Sequence, residues 1–336
     1  QKVKIADSCV TIFSLLLKYS LEIDEAALVP DKVTSVLAPS IAFLADQFLS
    51  TSKVTLRTLQ PLLSTIESTA WATTNLDSEF PLSTYELDWL QSALKFSADI
   101  VKARPTLNLP PSLLERNLYM LAPHLAMLYT RYANLRSAVI DLFIAIVSAP
   151  NPEQPSLLAH LGIHAHMFIS NLTGSLENGL ESEETIQKIA ICFSSIINSH
   201  QEGLSILLLT GRDTRKTSKI ETEATSLLQV IEQKVSNDIN LPQLLQYHLL
   251  SSLMSAYSNW KVGAFKSKTE LIDALIKIVK KTHEFNLTKR DPTDASIKWS
   301  LQNAMTEKAL DIFAIQLFKA GADDERSKKI IDFFKI

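Results

Sequence analysis

The chain has 336 residues, 46% of them apolar and 21% charged, with 7 glycines, 2 cysteines and a formal net charge of −3. So much apolar content excludes a disordered chain, and so little glycine weighs against β-hairpins, phosphate loops and dinucleotide folds, which need positive φ. A near-neutral chain with a pI near 6.2 has no general attraction for nucleic acid, so the partners expected are proteins.

Apolar residues recur at helical spacing from the first residues onward, and the pattern predicts helices over 3–21, 31–50 and 54–72. Cys9 lies in the first of these, and Cys192 lies in a later one. Both read as buried thiols rather than a disulfide framework, because they sit inside apolar helical patterns far apart in sequence. Ser83 with Glu86 and Ser112 with Glu115 match the capping box, in which hydroxyl and carboxylate satisfy each other's orphan backbone donors. They open predicted helices over 84–103 and 111–132. Pro39, Pro61 and Pro123 kink or restart their helices, since proline lacks the donor and crowds the preceding turn.

A helix over 135–148 follows, apolar on more than one face from Leu135 to Val147, which only a helix with neighbours on both sides requires. Further helices are predicted over 155–170, 183–200, 220–236, 242–260 and 268–284. The clearest stripes are Ile186, Ile189, Ala190, Phe193, Ile196 and Ile197, then Ala224, Leu227, Leu228, Ile231 and Val235, then Leu271, Ile272, Leu275 and Val279. Ser267 with Glu270 is a third capping box, and Asp291 before Pro292 marks the start of a helix over 292–320. Asp323, Asp324 and Glu325 read as a solvated loop before a last helix over 326–336. The polar stretches Thr73 to Ser83, Ala149 to Ser156, Gly174 to Glu181 and Thr210 to Lys219 read as loops, none with the composition of an interdomain linker.

The segment Leu37 to Leu44 matches Leu121 to Leu128 in pattern, and Leu59 to Ile66 is a looser copy. The first two lie about two HEAT or armadillo units of roughly 40–47 residues apart. The expected architecture is therefore all-α: a right-handed α-solenoid of stacked antiparallel helix pairs of HEAT/armadillo type, with residues 1–336 forming one continuous segment. Gln at position 1, and a C-terminal Phe333, Phe334 and Ile336 patterned like the middle of a helix, suggest a fragment of a larger chain in which those apolar residues cover the next repeat. No stretch approaches the roughly 18 apolar residues of a membrane span.

Catalytic chemistry finds little support in these residues. His160, His164 and His166 form a cluster, but no Cys or carboxylate stands at ligand spacing and Gly162 interrupts the helix, so they read as surface or loop-packing histidines rather than a metal site. No G-x-S-x-G elbow and no Cys beside a fitting His occurs, so the reading is of a non-enzyme with no catalytic residue, metal or cofactor. Trp71, Trp89, Trp260 and Trp299 read as anchors of helix packing, and the sequons at Asn171 and Asn286 as incidental. Arg212, Arg215, Lys216 and Lys219 concentrate charge in one hydroxyl-rich loop that lacks the phosphate-loop order. They are the candidate contact residues for an acidic partner or a phosphoregulated one.

Residues Ile191 to Gly211 read ICFSSIINSHQEGLSILLLTG. A helix ending in Asn198, Ser199, His200 and Gln201 leads into a short apolar helix and a turn at Leu208, Leu209, Thr210 and Gly211, and this resembles the large inner-ring scaffold nucleoporins of fungal type. The resemblance implies a solenoid shaped like nuclear transport receptors, placed in the nuclear pore complex at the nucleus and nuclear envelope. It implies a scaffold that docks a linker nucleoporin, with Phe-Gly repeats or transport factors as further protein partners. No Phe-Gly repeat occurs in the chain, and no binding residue carries over. The alternative reading is a soluble HEAT-type nuclear transport receptor or adaptor that binds protein cargo, and the isolated chain is expected to be a monomer.

Overall fold

Helices begin in this chain where a side chain can accept from orphan backbone N–H groups. Ser83 Oγ accepts from the Glu86 N–H at 3.4 Å while the Ser83 N–H donates to Glu86 Oε2 at 2.8 Å. Ser112 and Glu115 repeat the exchange at 3.3 and 2.7 Å. Both predicted capping boxes are thus formed; Ser267 of the third lies outside the described residues. A further box, Ser226 with Gln229 at 3.1 and 3.2 Å, starts its helix at Leu227 rather than at the predicted 220.

The computed structural model describes residues 2–23, 31–49, 60–69, 83–149, 156–199, 201–212, 225–237, 241–260, 269–287, 294–321 and 324–335. Regular structure among them is helical throughout, with no strand. The chain forms two compact units, Gln1–Asn171 and Leu172–Ile336, divided within one helix.

The first unit contains α1 (Lys2–Ile23), α2 (Asp31–Leu49), α3 (60–69), α4 (Thr84–Thr106), α5 (Leu113–Met120), α6 (Ala122–Arg131), a 3₁₀ turn (Ala133–Leu135), α7 (Arg136–Ser148), α8 (Leu157–Leu161) and the start of α9 (His164–Glu177). Here α1 packs on α4 and α4 on α7, while α2, α5 and α6 form a second row against them and α8 packs on α5 and α6. Two rows explain the pattern of α7, whose Val139, Ile140, Leu142, Phe143, Ile146 and Val147 are all buried. Phe143 and Tyr129 both meet the Phe168 ring, at centroid distances of 4.7 and 5.6 Å. Aromatic pairs of this kind add about 0.5–1.5 kcal/mol beyond their burial.

The predicted 111–132 helix is two helices, because Pro123 restarts the chain in the first turn of α6 after Leu121. Pro39 instead stays within α2, and Pro61 falls in the first described turn of α3. Gly162, with φ 54, separates α8 from α9. The predicted loop at Gly174 starts late, since α9 continues to Glu177 with Leu172, Thr173, Ser175 and Leu176 buried. Packing there outweighs the roughly 1 kcal/mol helix cost of glycine.

The second unit continues with α10 (Glu183–Asn198), α11 (Glu202–Thr210), α12 (Leu227–Asn237), α13 (Gln243–Asn259), α14 (Thr269–Leu287), α15 (Asp294–Ala320) and α16 (Glu325–Phe334). It repeats the two-row scheme: α10 packs on α13 and α13 on α15, with α11, α12, α14 and α16 alongside. Small polar side chains stitch the long row. Ser252 Oγ reaches Ala190 O at 2.8 Å and Ser194 Oγ at 3.1 Å, and Asn259 Nδ2 donates to Asn198 Oδ1 at 2.9 Å. Between α14 and α15 the buried Gln302 donates to Thr282 Oγ1 at 2.8 Å and Ile278 O at 3.3 Å. Short hydroxyls and a satisfied amide let backbones approach without orphaning a polar group. Rows of paired helices, each needing its neighbour to bury its faces, are the local order of an α-solenoid.

Candidate interaction surface

Of the four basic residues singled out in the sequence, Arg212 is exposed immediately after Gly211, which closes α11 at φ 70 in the left-handed region. Its backbone N–H donates to Thr210 Oγ1 at 3.1 Å. Arg215, Lys216 and Lys219 lie outside the described residues. The histidine cluster divides at Gly162. His160 sits half-buried against Tyr119, ring centroids 5.5 Å apart, and burial pushes its pKa down. Desolvation also lowers the pKa of His124 on α6, against the pull of Glu67. Among the described residues no group of three or more His, Cys, Asp or Glu is placed to hold a metal ion, and no helix is long and apolar enough to cross a membrane.

Helix α1 carries two apolar seams. Phe13 faces the Phe96 ring of α4 at 6.1 Å, and Leu17 is buried in the same packing. The other seam is open: Ile5, Ile12 and Leu15 are 55–60% exposed, and Cys9 lies among them, also exposed. The expectation of a buried Cys9 is therefore corrected, whereas Cys192 is 1% exposed. Periodicity marked α1 as apolar but did not say which of its faces meets α4.

Beside Leu15 a notch of about 130 Å³ opens between α1 and α4, lined by Ser14, Leu15 and Lys18 on one side and Ser92, Lys95 and Asp99 on the other. Asp99 is 6% exposed, and its Oδ2 accepts no hydrogen bond. Lys18 Nζ stands 3.8 Å from that oxygen, a charge contact rather than a hydrogen bond. Desolvation raises the Asp99 pKa, against the pull of Lys18. Nothing in the sequence marked Asp99, because its burial comes from the packing of α1 and α7 onto α4.

In the second unit a polar cluster joins four helices. Tyr257 of α13 donates to Glu232 of α12 at 2.7 Å. Asp324 caps α16 and grips Arg326 through Nε and Nη2 at 2.9 and 3.0 Å. Lys319 of α15 donates to the carbonyls of Tyr257 and Trp260. Asp324, expected in a solvated loop, is thus the N-cap of α16. Trp89 donates to Thr65 Oγ1 at 3.3 Å, while Trp71 lies outside the described residues. In both units polar groups tie helices together, and large apolar side chains stand exposed on α1 in the first unit and at Phe318 of α15 and Phe334 of α16 in the second, 89% and 58% exposed. Phe333, grouped with Phe334 in the sequence, is half-buried beneath Lys280 at 5.8 Å.

Residues 1–212 match the family profile described as Nucleoporin Nup188, N-terminal subdomain III. The chain is 26% identical over 241 residues to Nucleoporin NUP188 of Saccharomyces cerevisiae, covering 67% of this chain and 14% of that protein. It is 26% identical over 309 residues to Nucleoporin NUP188 of Chaetomium thermophilum (85% and 16%) and over 298 residues to Nucleoporin nup184 of Schizosaccharomyces pombe (83% and 18%). The chain therefore spans less than a fifth of the length of these relatives. With the profile covering well over half of its residues, the chain belongs to the Nup188 nucleoporin family.

Proposed function

We propose that this chain is a segment of a scaffold nucleoporin, acting through protein contacts within the nuclear pore complex at the nuclear envelope rather than by catalysis. The match of residues 1–212 to the Nup188 subdomain carries this reading. The two-row helical packing supports it, since such packing presents long surfaces held by rigid neighbours. The partners proposed are other proteins: a linker nucleoporin first, then Phe-Gly repeats or transport factors. Arg212, with Arg215, Lys216 and Lys219, is the proposed contact loop for an acidic partner.

The reading includes one continuous right-handed array of HEAT-type helix pairs over residues 1–336, monomeric in isolation. Its support is the run of helical patterns uninterrupted by a linker-like composition. Small-angle scattering tests it, because a compact globule of this length has a radius of gyration near roughly 20 Å. A clearly larger value from a monomer is expected.

The functional test is affinity capture of the tagged chain from fungal nuclear-envelope extract. Recovery of pore components, unchanged by adding the GTP-loaded transport GTPase, is expected of a scaffold. Capture of none would overturn the reading, and release by the GTPase would transfer it to the soluble-receptor alternative.

A further inference from the structure

Histidines stand on both sides of the junction at which α8 packs on α5 and α6 in the first unit. His124 of α6 and His160 of α8 are half-buried, and each hides one ring nitrogen, Nδ1 and Nε2 respectively, that has no hydrogen-bond partner. His124 faces the Glu67 carboxylate of α3 and His164 at the start of α9. His160 meets the Tyr119 ring of α5 edge-on, and burial and the Glu115 charge both favour the neutral form of the Tyr119 hydroxyl. A neutral imidazole can leave one nitrogen bare. A protonated one turns that nitrogen into a donor and carries a charge into a place that solvates it poorly. Glu67 attracts a charged His124 without outweighing its burial, and His164 opposes the charge, while burial resists it at His160.

The fold confines what such a charge can disrupt. Helix α8 has five residues, too few to stand as a helix by itself, and it is seated through Leu157, Leu158 and Leu161, all 5% exposed or less. Gly162 follows at φ 54, and Ile163 beyond it is 88% exposed, so the turn into α9 has little packing to lose. Further along, α9 is held by the Phe168 ring against Tyr129 and Phe143. We propose that this junction is a proton-operated joint: protonation of His124 and His160 unseats α8 and the Gly162 turn from α5 and α6, while the row of α1, α4 and α7 stays folded. Opening exposes the three leucines, so mild acid creates an apolar surface that neutral pH hides. A histidine that resists protonation when folded supports the fold above its unfolded pKa near 6.5 and withdraws that support as pH falls. Between pH 7.5 and pH 5.5 each one shifts the opening equilibrium by up to about 10-fold.

Hydrogen exchange of the 336-residue chain, resolved by peptide mass spectrometry and corrected for the intrinsic pH dependence of exchange, tests the joint. Peptides over residues 156–164 should lose roughly 10- to 100-fold of their protection between pH 7.5 and pH 5.5, and those of α4 and α7 should keep theirs. His124→Gln combined with His160→Phe should hold the 156–164 protection down to pH 5.5. Imidazole proton NMR of the unaltered chain reads the same groups without a substitution, and His124 and His160 should both titrate below 6.5. Constant protection of 156–164 across the range would overturn the joint, and so would titration of both histidines at or above 6.5. Opening that persists in the double variant would overturn it too, as would loss of protection over α4 and α7 at the same pH, which is unfolding of the whole unit.

Discussion

Arg104 Nε donates to Glu115 Oε1 at 2.7 Å, and both side chains are all but fully buried, at 4% and 2% exposure. The pair closes the turn between α4 and α5. Arg104 Nη1 also holds Leu109 O at 3.0 Å, while Glu115 Oε2 accepts from the Ser112 N–H and hydroxyl at 2.7 and 2.8 Å. A capping box and an ion pair therefore share one carboxylate, which explains why α4 runs to Thr106, past its predicted end at 103. Breaking one partner of a buried pair leaves a bare charge and costs about 3–5 kcal/mol. Arg104→Met should lower unfolding stability by that much in urea titration. Arg104→Met with Glu115→Met should recover part of the loss, the remainder being the lost cap.

Phe143→Ala should cost about 3–5 kcal/mol, because it empties a fully buried site packed against the Phe168 ring. Denaturant unfolding followed by far-ultraviolet circular dichroism measures it. A cost below about 1 kcal/mol would mean that the neighbouring helices collapse into the space.

Burial holds the Glu232 carboxyl above its ordinary value of 4.5, with the Tyr257 hydrogen bond and Arg326 pulling the other way. A carboxyl that protonates more readily when folded adds stability below its unfolded pKa and loses it as pH rises through the folded value. Glu232→Gln keeps an acceptor for Tyr257 and stays neutral. The melting temperature of the variant relative to the parent should thus become more favourable between about pH 4 and pH 7. Thermal melts across that range check the sign, and a trend the other way would give the Arg326 attraction the larger weight.

Gly211→Ala should destabilise by about 1 kcal/mol, since φ 70 at the end of α11 suits glycine. Gly211→Asn should cost less, because asparagine tolerates that region. Thermal unfolding of both variants ranks them, and an unchanged Gly211→Ala melt would show that the turn relaxes.

The helices were readable because their causes are local. A 3.6-residue stripe and a Ser-x-x-Glu box act within a turn or two, and so the helices capped by Ser83 and Ser112 appear where expected. Helix α11 was absent from the periodic pattern because it is short and nearly all apolar, with Leu204, Leu207, Leu208 and Leu209 buried. It was legible only through the resemblance of Ile191 to Gly211 to scaffold nucleoporins. The late start of α12 at Leu227 is also local, set by the exchange between Ser226 and Gln229.

By itself the sequence determined an all-α chain and most of its helix starts, because hydrogen-bond capping and amphipathic periodicity are written over spans shorter than one helix. Only the tertiary structure decided that Cys9 faces outward while Cys192 is buried, that Asp99 loses its solvent between α1 and α4, and that Arg104 meets Glu115. Each of these depends on which distant face arrives against a given helix. Burial is a property of that meeting, and a stripe that is apolar on more than one side is compatible with several such meetings.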